Sequence, residues 1–286
     1  MSSTTMHPIA AETCVVRATD ATPGRSRTVA PGLTASRHLH YGRVRLGAAD
    51  RPVHVDPGGF ETGLVCLKGE ARIRAAGSDY TMRPYDALYV PRGTAFAVTP
   101  GPSGCDLAEI AAPVEQHYPL RFVAFADVQR DSGLCFRTGG PASGRVINIL
   151  LGKNIEAGRI VVGVTFSEPG HWTSWPPHEH SELLEEAYLY VDMPAPAFGV
   201  QLVYVNPAEP ELATIVREGD VVLMPQGYHP NVAAPGCSIN FLWMMAANRE
   251  GTDRQFGVVN VQPAFAAAGS GLERGRTDVP RDDGRR

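Results

Sequence analysis

The sequence has no uninterrupted apolar run of the roughly 18 residues that a membrane-crossing helix needs, so a helical span is excluded. It has no clustered basic stretch either. With 26 Lys and Arg against 30 Asp and Glu, the formal charge is -4, which argues against a nucleic-acid partner. Cysteine is sparse and odd in number. Cys14, Cys66, Cys105, Cys135 and Cys237 are far apart with no Cys-x-x-Cys, so they read as free thiols rather than a disulfide framework or a metal knuckle. Residues 1–8 lack a basic stretch followed by an apolar core, and the expected location is the cytoplasm. Helical periodicity is scarce as well, the best candidates being short ones at residues 124–131 and 263–268.

What is present is a series of short apolar runs with Gly, Pro and Asp at their junctions, the pattern of an all-β chain with turns every ten residues or so. Residues 64–67, 71–74, 87–90 and 95–98 read as strands of the first half, with Arg72 and Arg74 alternating with Ala71 and Ile73 as on a sheet with one wet face. Residues 144–151 and 159–166 read as apolar strands of the second. The chain also repeats itself. Asp86-Ala87-Leu88-Tyr89-Val90-Pro91-Arg92-Gly93 aligns without a gap on Asp220-Val221-Val222-Leu223-Met224-Pro225-Gln226-Gly227, an offset of 134 residues. A repeat that long means two copies of a whole domain. The expected organisation is a mobile arm over 1–30, a first barrel over 31–135, a second over 136–265 and a loose tail over 266–286.

The chemistry-bearing residues gather between 172 and 229. On a strand, side chains i and i+2 share a face, so His178 and His180 in Pro176-Pro177-His178-Glu179-His180 can offer two imidazoles to one point. A strand headed by Glu185-Glu186 follows, and then Pro225-Gln226-Gly227-Tyr228-His229 places a histidine just past a turn. Three imidazoles and a carboxylate suit a borderline divalent ion, with zinc expected and manganese or iron as alternatives. Only one of two adjacent glutamates can face inward, so the residues alone leave Glu185 and Glu186 as alternatives. A second pair, His38 and His40, has no carboxylate in the nine residues after it and reads as an ordinary strand or loop pair. In the first half Ala95 stands where His229 stands in the second, and no His-x-His precedes Glu61 at a comparable distance, so one metal is expected, in the second barrel.

The order His-x-His, then Glu, then Gly-x5-Pro-x-Gly-x-His resembles the two-motif signature of the cupins, small double-stranded β-helix or jelly-roll barrels. More narrowly, Gly170-His171-Trp172-Thr173-Ser174-Trp175-Pro176-Pro177-His178-Glu179-His180, Leu184-Glu185-Glu186-Ala187-Tyr188 and Gly227-Tyr228-His229-Pro230 are similar to the 5-deoxy-glucuronate isomerases of inositol catabolism. Related to these are the 4-deoxy-5-hexosulose-uronate ketol-isomerases. The resemblance implies a tandem cupin and an aldose–ketose isomerase with a small sugar-acid substrate, and a homo-oligomer is also expected. It selects Glu186 as the ligand beside His178, His180 and His229, leaving Glu185 to point outward or to touch a histidine ring. It places Gln201 at the site, and His171 and Tyr228 join the candidate catalytic residues. Arg249 and Lys153 are available as cations for a substrate carboxylate. Two other readings stay open: a cupin isomerase or dioxygenase on another small acid, and a non-catalytic sugar-binding protein.

Overall fold

The computed structural model describes residues 7–277, and its strands fall into two antiparallel assemblies. The chain passes from the first to the second between Arg121–Val123 and Cys135–Thr138, by way of a short helix at Phe125–Arg130. The first assembly is an eight-stranded sheet built on two long strands, Phe60–Ala75 and Phe96–Pro113. In the second, a seven-stranded sheet shares one apolar core with a four-stranded sheet. Among the described residues no helix is long and apolar enough to cross a membrane, and all five cysteines are unpaired.

The runs at 64–67 and 71–74 are one strand rather than two. Phe60–Ala75 pairs with Phe96–Pro113 along nearly its whole length, with register shifts between Cys66 and Lys68 and between Gly69 and Ala71. Such bulges bend a strand, so that a single strand can serve two walls of a barrel. Gly69 is required there: its φ is +73°, and a Cβ would lie 2.2 Å from the Gly104 carbonyl oxygen.

Alternation decides what each face of this strand does. Leu64 and Cys66 join Val44, Met82, Leu88 and Val98 in the interior of the first barrel, whereas Val65 and Leu67 join a second cluster with Ile149, Val162, Leu189 and Val222 of the other barrel. The strand is apolar on both faces because both are buried, one by its own barrel and one by its neighbour. Beyond the contact, Arg72 and Arg74 are exposed while Ala71 and Ile73 are buried, the wet face expected from their spacing.

Two buried glutamates clasp the barrels. Glu61 accepts the backbone N–H groups of Gly158, Arg159 and Ile160 at 2.7, 2.6 and 2.8 Å, with the Tyr89 hydroxyl at 2.7 Å. Glu185 accepts those of Arg37, His38 and Leu39 at 2.6, 2.6 and 2.5 Å. The pairing register makes these two residues equivalent. Thr62 lies opposite Val90 and Glu186 opposite Met224, and Val90 and Met224 coincide under the repeat. Thr62 therefore occupies the place of Glu186, and Glu61 that of Glu185. Glu185 neither points to solvent nor reaches a histidine ring, as the sequence suggested; each barrel lends a carboxylate to three consecutive N–H groups of the other.

The arm expected over 1–30 is, from residue 7 onward, built into the fold; residues 1–6 lie outside the described residues. Val15 and Val16 pair with Val222 and Val221 at the edge of the second barrel's sheet, and Gly24–Val29 then pairs with His40–Leu46 in the first. A sheet edge presents unpaired N–H and C=O groups, and two β-branched residues suffice to cover this one. Asp220 anchors the crossing by accepting from Arg17 Nη1 at 2.8 Å and from the N–H groups of Ala18 and Arg217 at 3.1 Å. Asp220→Ala is expected to destabilise the protein by about 2 kcal/mol, through the loss of three hydrogen bonds to one buried carboxylate; chemical denaturation with tryptophan fluorescence would measure it, and no shift in midpoint would contradict the anchoring. The tail is seated as well, as far as residue 277, while 278–286 lie outside the described residues. Gly275 packs so closely that a Cβ would come within 2.9 Å of Ile149, Phe256 and Phe136, and Leu272 is buried.

Candidate metal centre

Each of the four expected ligands is placed by a local device. His178 starts the two-residue strand His178–Glu179, which pairs with Asn260–Val261. Alternation then turns Glu179 outward to Asn260 and Ser181 while His178 and His180 are both buried. The His180 carbonyl takes the N–H groups of Leu183 and Leu184 at 2.9 Å each, a tight turn into the strand Leu184–Tyr190 that carries Glu186 inward. His229 follows Gly227, whose φ is +83° and whose Cβ would meet the Tyr204 carbonyl oxygen at 2.4 Å, so the turn that aims His229 requires glycine.

The donor atoms converge. The three imidazoles offer ligand nitrogens within 4.8 Å of one another, and Glu186 Oε2 lies 3.1 Å from both His180 Nε2 and His229 Nε2. All four residues are buried. Their second ring nitrogens fix the tautomer: Nδ1 of His178, His180 and His229 lies 2.9, 3.1 and 3.0 Å from the carbonyl oxygens of Pro176, Leu184 and Gly227. A carbonyl only accepts, so Nδ1 carries the hydrogen and, in the neutral ring, a lone pair remains on Nε2. Three inward lone pairs and a carboxylate make a set that wants a cation among them. The buried His229 Nε2 has no hydrogen-bond partner even with a carboxylate oxygen beside it, and this is the observation by which the residues fit a divalent metal.

The histidines are shifted in different directions: burial alone would lower His180, but the Glu186 carboxylate against it raises it. Burial pulls His178 down to about 3, and its neighbours His229 and His180 push the same way, so the ring is neutral and free to ligate. Burial alone would lift the Glu186 carboxyl, but the His180 and His229 rings against it hold it at about 2. The carboxylate is ionised throughout the physiological range.

Beside the donors lies a cavity lined by inward faces of four neighbouring strands: Glu186 and Tyr188, Trp243 and Met245, Thr165, and Arg145 with Ile147. Phe256 and Leu272, from outside the barrel, close it, leaving a free volume of about 30 Å³, room for one or two waters. Tyr188 hydrogen-bonds Ser174 Oγ at 2.7 Å and stacks on Phe241 at 4.1 Å. Burial raises its pKa well above the usual value, so its hydroxyl keeps the proton.

The expected catalytic residues do not join this cavity. Gln201 is fully buried, but its amide is occupied: Oε1 accepts from Tyr190 at 2.6 Å and Asn231 at 3.0 Å, while Nε2 donates to the carbonyls of Leu202 and His229 at 2.7 and 2.9 Å. It supports the backbone of His229. His171 is turned to the Gly144 N–H, which it accepts on Nδ1 at 2.9 Å. Tyr228 packs its ring on Tyr204, 5.7 Å between centroids, and bridges the same residue through its backbone. Arg249 is bound to Asp253 at 2.7 Å on the surface, and Lys153 donates to the Arg274 carbonyl at 3.1 Å. His40, of the other histidine pair, sits edge-on to Phe60 at 4.9 Å in the first barrel. Sequence reasoning missed Arg145. The signal was an arginine heading a largely apolar strand, in register with the inward-facing Ile147.

Comparison with known proteins places this arrangement. Residues 15–262 match the KduI/IolB family. The chain belongs to that family. Among its curated relatives, the 5-deoxy-glucuronate isomerase of Geobacillus thermodenitrificans (strain NG80-2) is 32% identical over 204 residues, covering 65% of this chain and 72% of that one. The enzyme of the same name from Shouchella clausii (strain KSM-K16) is 30% identical over 207 residues, covering 66% and 74%. In structure, an IolB-like protein from Salmonella typhimurium LT2 superposes with a TM-score of 0.78 at 22% identity, over 89% of this chain and 98% of that one. An oxalate decarboxylase variant from Bacillus subtilis superposes with a TM-score of 0.58 at 12% identity, over 86% and 80%, which is a likeness of fold. The KduI/IolB family member described here thus has the tandem cupin fold that its motifs suggested.

Proposed function

We propose that the protein is a metal-dependent aldose–ketose isomerase that converts 5-deoxy-glucuronate to 2-deoxy-5-keto-gluconate in inositol catabolism. The isomerase class follows from the family and from curated relatives of that name. The observation that supports the metal is the convergence of three imidazoles, each with Nδ1 held against a backbone carbonyl, with Glu186 Oε2 3.1 Å from two of them. His178, His180, Glu186 and His229 would hold one divalent ion, zinc by donor type, with manganese or iron as alternatives. When bound, it supplies Lewis acidity toward a carbonyl and the neighbouring hydroxyl oxygen.

The residues around it perform the rest. Isomerisation moves a proton from C2 to C1 of the aldose through an enediolate, and needs no oxidant. Trp243, Met245 and Phe256 give the cavity apolar walls that exclude water from that intermediate. Tyr188, kept protonated by burial, can donate a hydrogen bond to a substrate oxygen but not act as the base. A sugar acid is larger than one or two waters, so its binding requires this cavity to widen.

Incubating metal-reconstituted protein with 5-deoxy-glucuronate in deuterium oxide, without oxygen, tests the reading. The expected result is a ketose product carrying solvent deuterium at the new C1 methylene when proton transfer exchanges with solvent, at an undiminished anaerobic rate. No turnover with zinc, manganese or iron would refute the assignment, and turnover that requires oxygen would replace it with a dioxygenase.

A further inference from the structure

We propose that Arg145 binds the carboxylate of the substrate, from within the cavity that two of the metal ligands, His178 and Glu186, help to line. This rests on the isomerase reading above, and extends it to how the acid end of the sugar is recognised.

Arg145 opens the strand Arg145–Leu151 and is only 2% exposed, one of the largest fully buried side chains in the protein. Burying a guanidinium costs several kcal/mol unless an anion compensates it. Arg43, also buried, shows the ordinary solution: Asp106 grips it through Nε at 2.8 Å and Nη2 at 2.5 Å. Arg145 has no such partner. Among the described residues no carboxylate lies within 4 Å of it, and its hydrogen bonds go to two carbonyl oxygens, Nη1 to Ser143 at 3.0 Å and Nη2 to Trp175 at 2.8 Å. Two of five N–H donors are used, and the rest belong to a side chain that lines the same cavity as His178, Glu186 and Tyr188.

The two carbonyl bonds hold the fork in place before any ligand arrives, the preorganisation that makes a planar guanidinium a specific carboxylate receptor. Trp175 stands three residues before His178, so one loop positions both the cation and a metal ligand. Burial lowers the Arg145 pKa to about 10, which leaves it charged at neutral pH. The only carboxylate lining the cavity, Glu186, is turned to His180 and His229. The cavity therefore presents two of the metal ligands, His178 and Glu186, and a separate cation without an anion, which matches a substrate carrying an aldehyde at one end and a carboxylate at the other. The tail covers this place: a Cβ on Gly271 would come within 3.3 Å of Arg145 Nη2.

The test compares the acid with its neutral counterpart, 5-deoxy-glucose, in which a hydroxymethyl group replaces the carboxylate. Wild type is expected to prefer the acid in kcat/KM by about 10²-fold. Arg145→Gln should lose about that factor on the acid and little on the neutral sugar, with metal content by mass spectrometry unchanged. A merely structural role would depress both sugars together and overturn the proposal, as would a retained preference. Should Arg145→Gln not fold, Arg145→Lys keeps the charge without the fork and should lower the preference roughly tenfold; an unaltered preference in that variant would count against Arg145. Calorimetric binding of the acid separates the two readings. Wild type that binds the acid through Arg145 without turning it over would sink the isomerase and leave the receptor standing, whereas turnover with no effect of Arg145 would do the reverse.

Discussion

Glu186→Gln is expected to lower turnover of 5-deoxy-glucuronate by about 10³-fold and to drop retained metal well below one ion per chain after dialysis, while the metal-free protein stays as stable as wild type or becomes more so. Without a cation, Glu186 Oε2 sits 3.1 Å from two ring nitrogens whose hydrogens are on the far side. That arrangement is unfavourable in a buried site, and an amide relieves it by donating an N–H to one Nε2. The same amide cannot supply the negative charge that offsets a divalent ion. Added metal should therefore raise the melting midpoint of wild type and not of the variant, by the linkage between binding and stability. A variant that keeps its metal and its rate would mean that the carboxylate is not a ligand.

How far the sequence carried the fold and the site depends on which signals are local. Alternation, turn residues and the 134-residue repeat are local or self-similar, and from them two β barrels and the convergence of His178, His180 and His229 near one of two glutamates could be read. The places where the reading failed are long-range. Val15 and Val16 look like part of a polar arm until the edge of Val221–Met224, over 200 residues away in the chain, needs covering. Gln201 in an apolar run could face solvent or a ligand, and the family resemblance placed it at the site, yet its amide is taken up by Tyr190, Asn231 and the carbonyls of Leu202 and His229. Arg145 went unnoticed because its lack of an anionic partner is a property of space and not of spacing. Choosing between Glu185 and Glu186 needed the family register, since alternation says that the two differ and not which faces in.

Glu185→Gln should have the opposite phenotype to its neighbour: a loss of about 4 kcal/mol in stability, with metal content and the rate per folded chain kept. In a chain of this size the melting midpoint should fall by roughly 10 °C. Its Oε1 takes the N–H groups of His38 and Leu39, and Oε2 takes that of Arg37. An amide must turn its NH2 toward one of these donors, so a buried N–H faces another N–H whichever way it is flipped. Glu61→Gln meets the same conflict with Gly158, Arg159 and Ile160, and a comparable loss is expected from it, although its barrel carries Thr62 and Ala95 where the other carries Glu186 and His229. That symmetry makes the measurement decisive. If the two clasps hold the barrels together, both variants melt early by similar amounts and neither touches the metal. If Glu185 instead serves the histidines, only its variant will shed metal, and Glu61→Gln will leave every property of the centre unchanged while the stabilities of the two diverge.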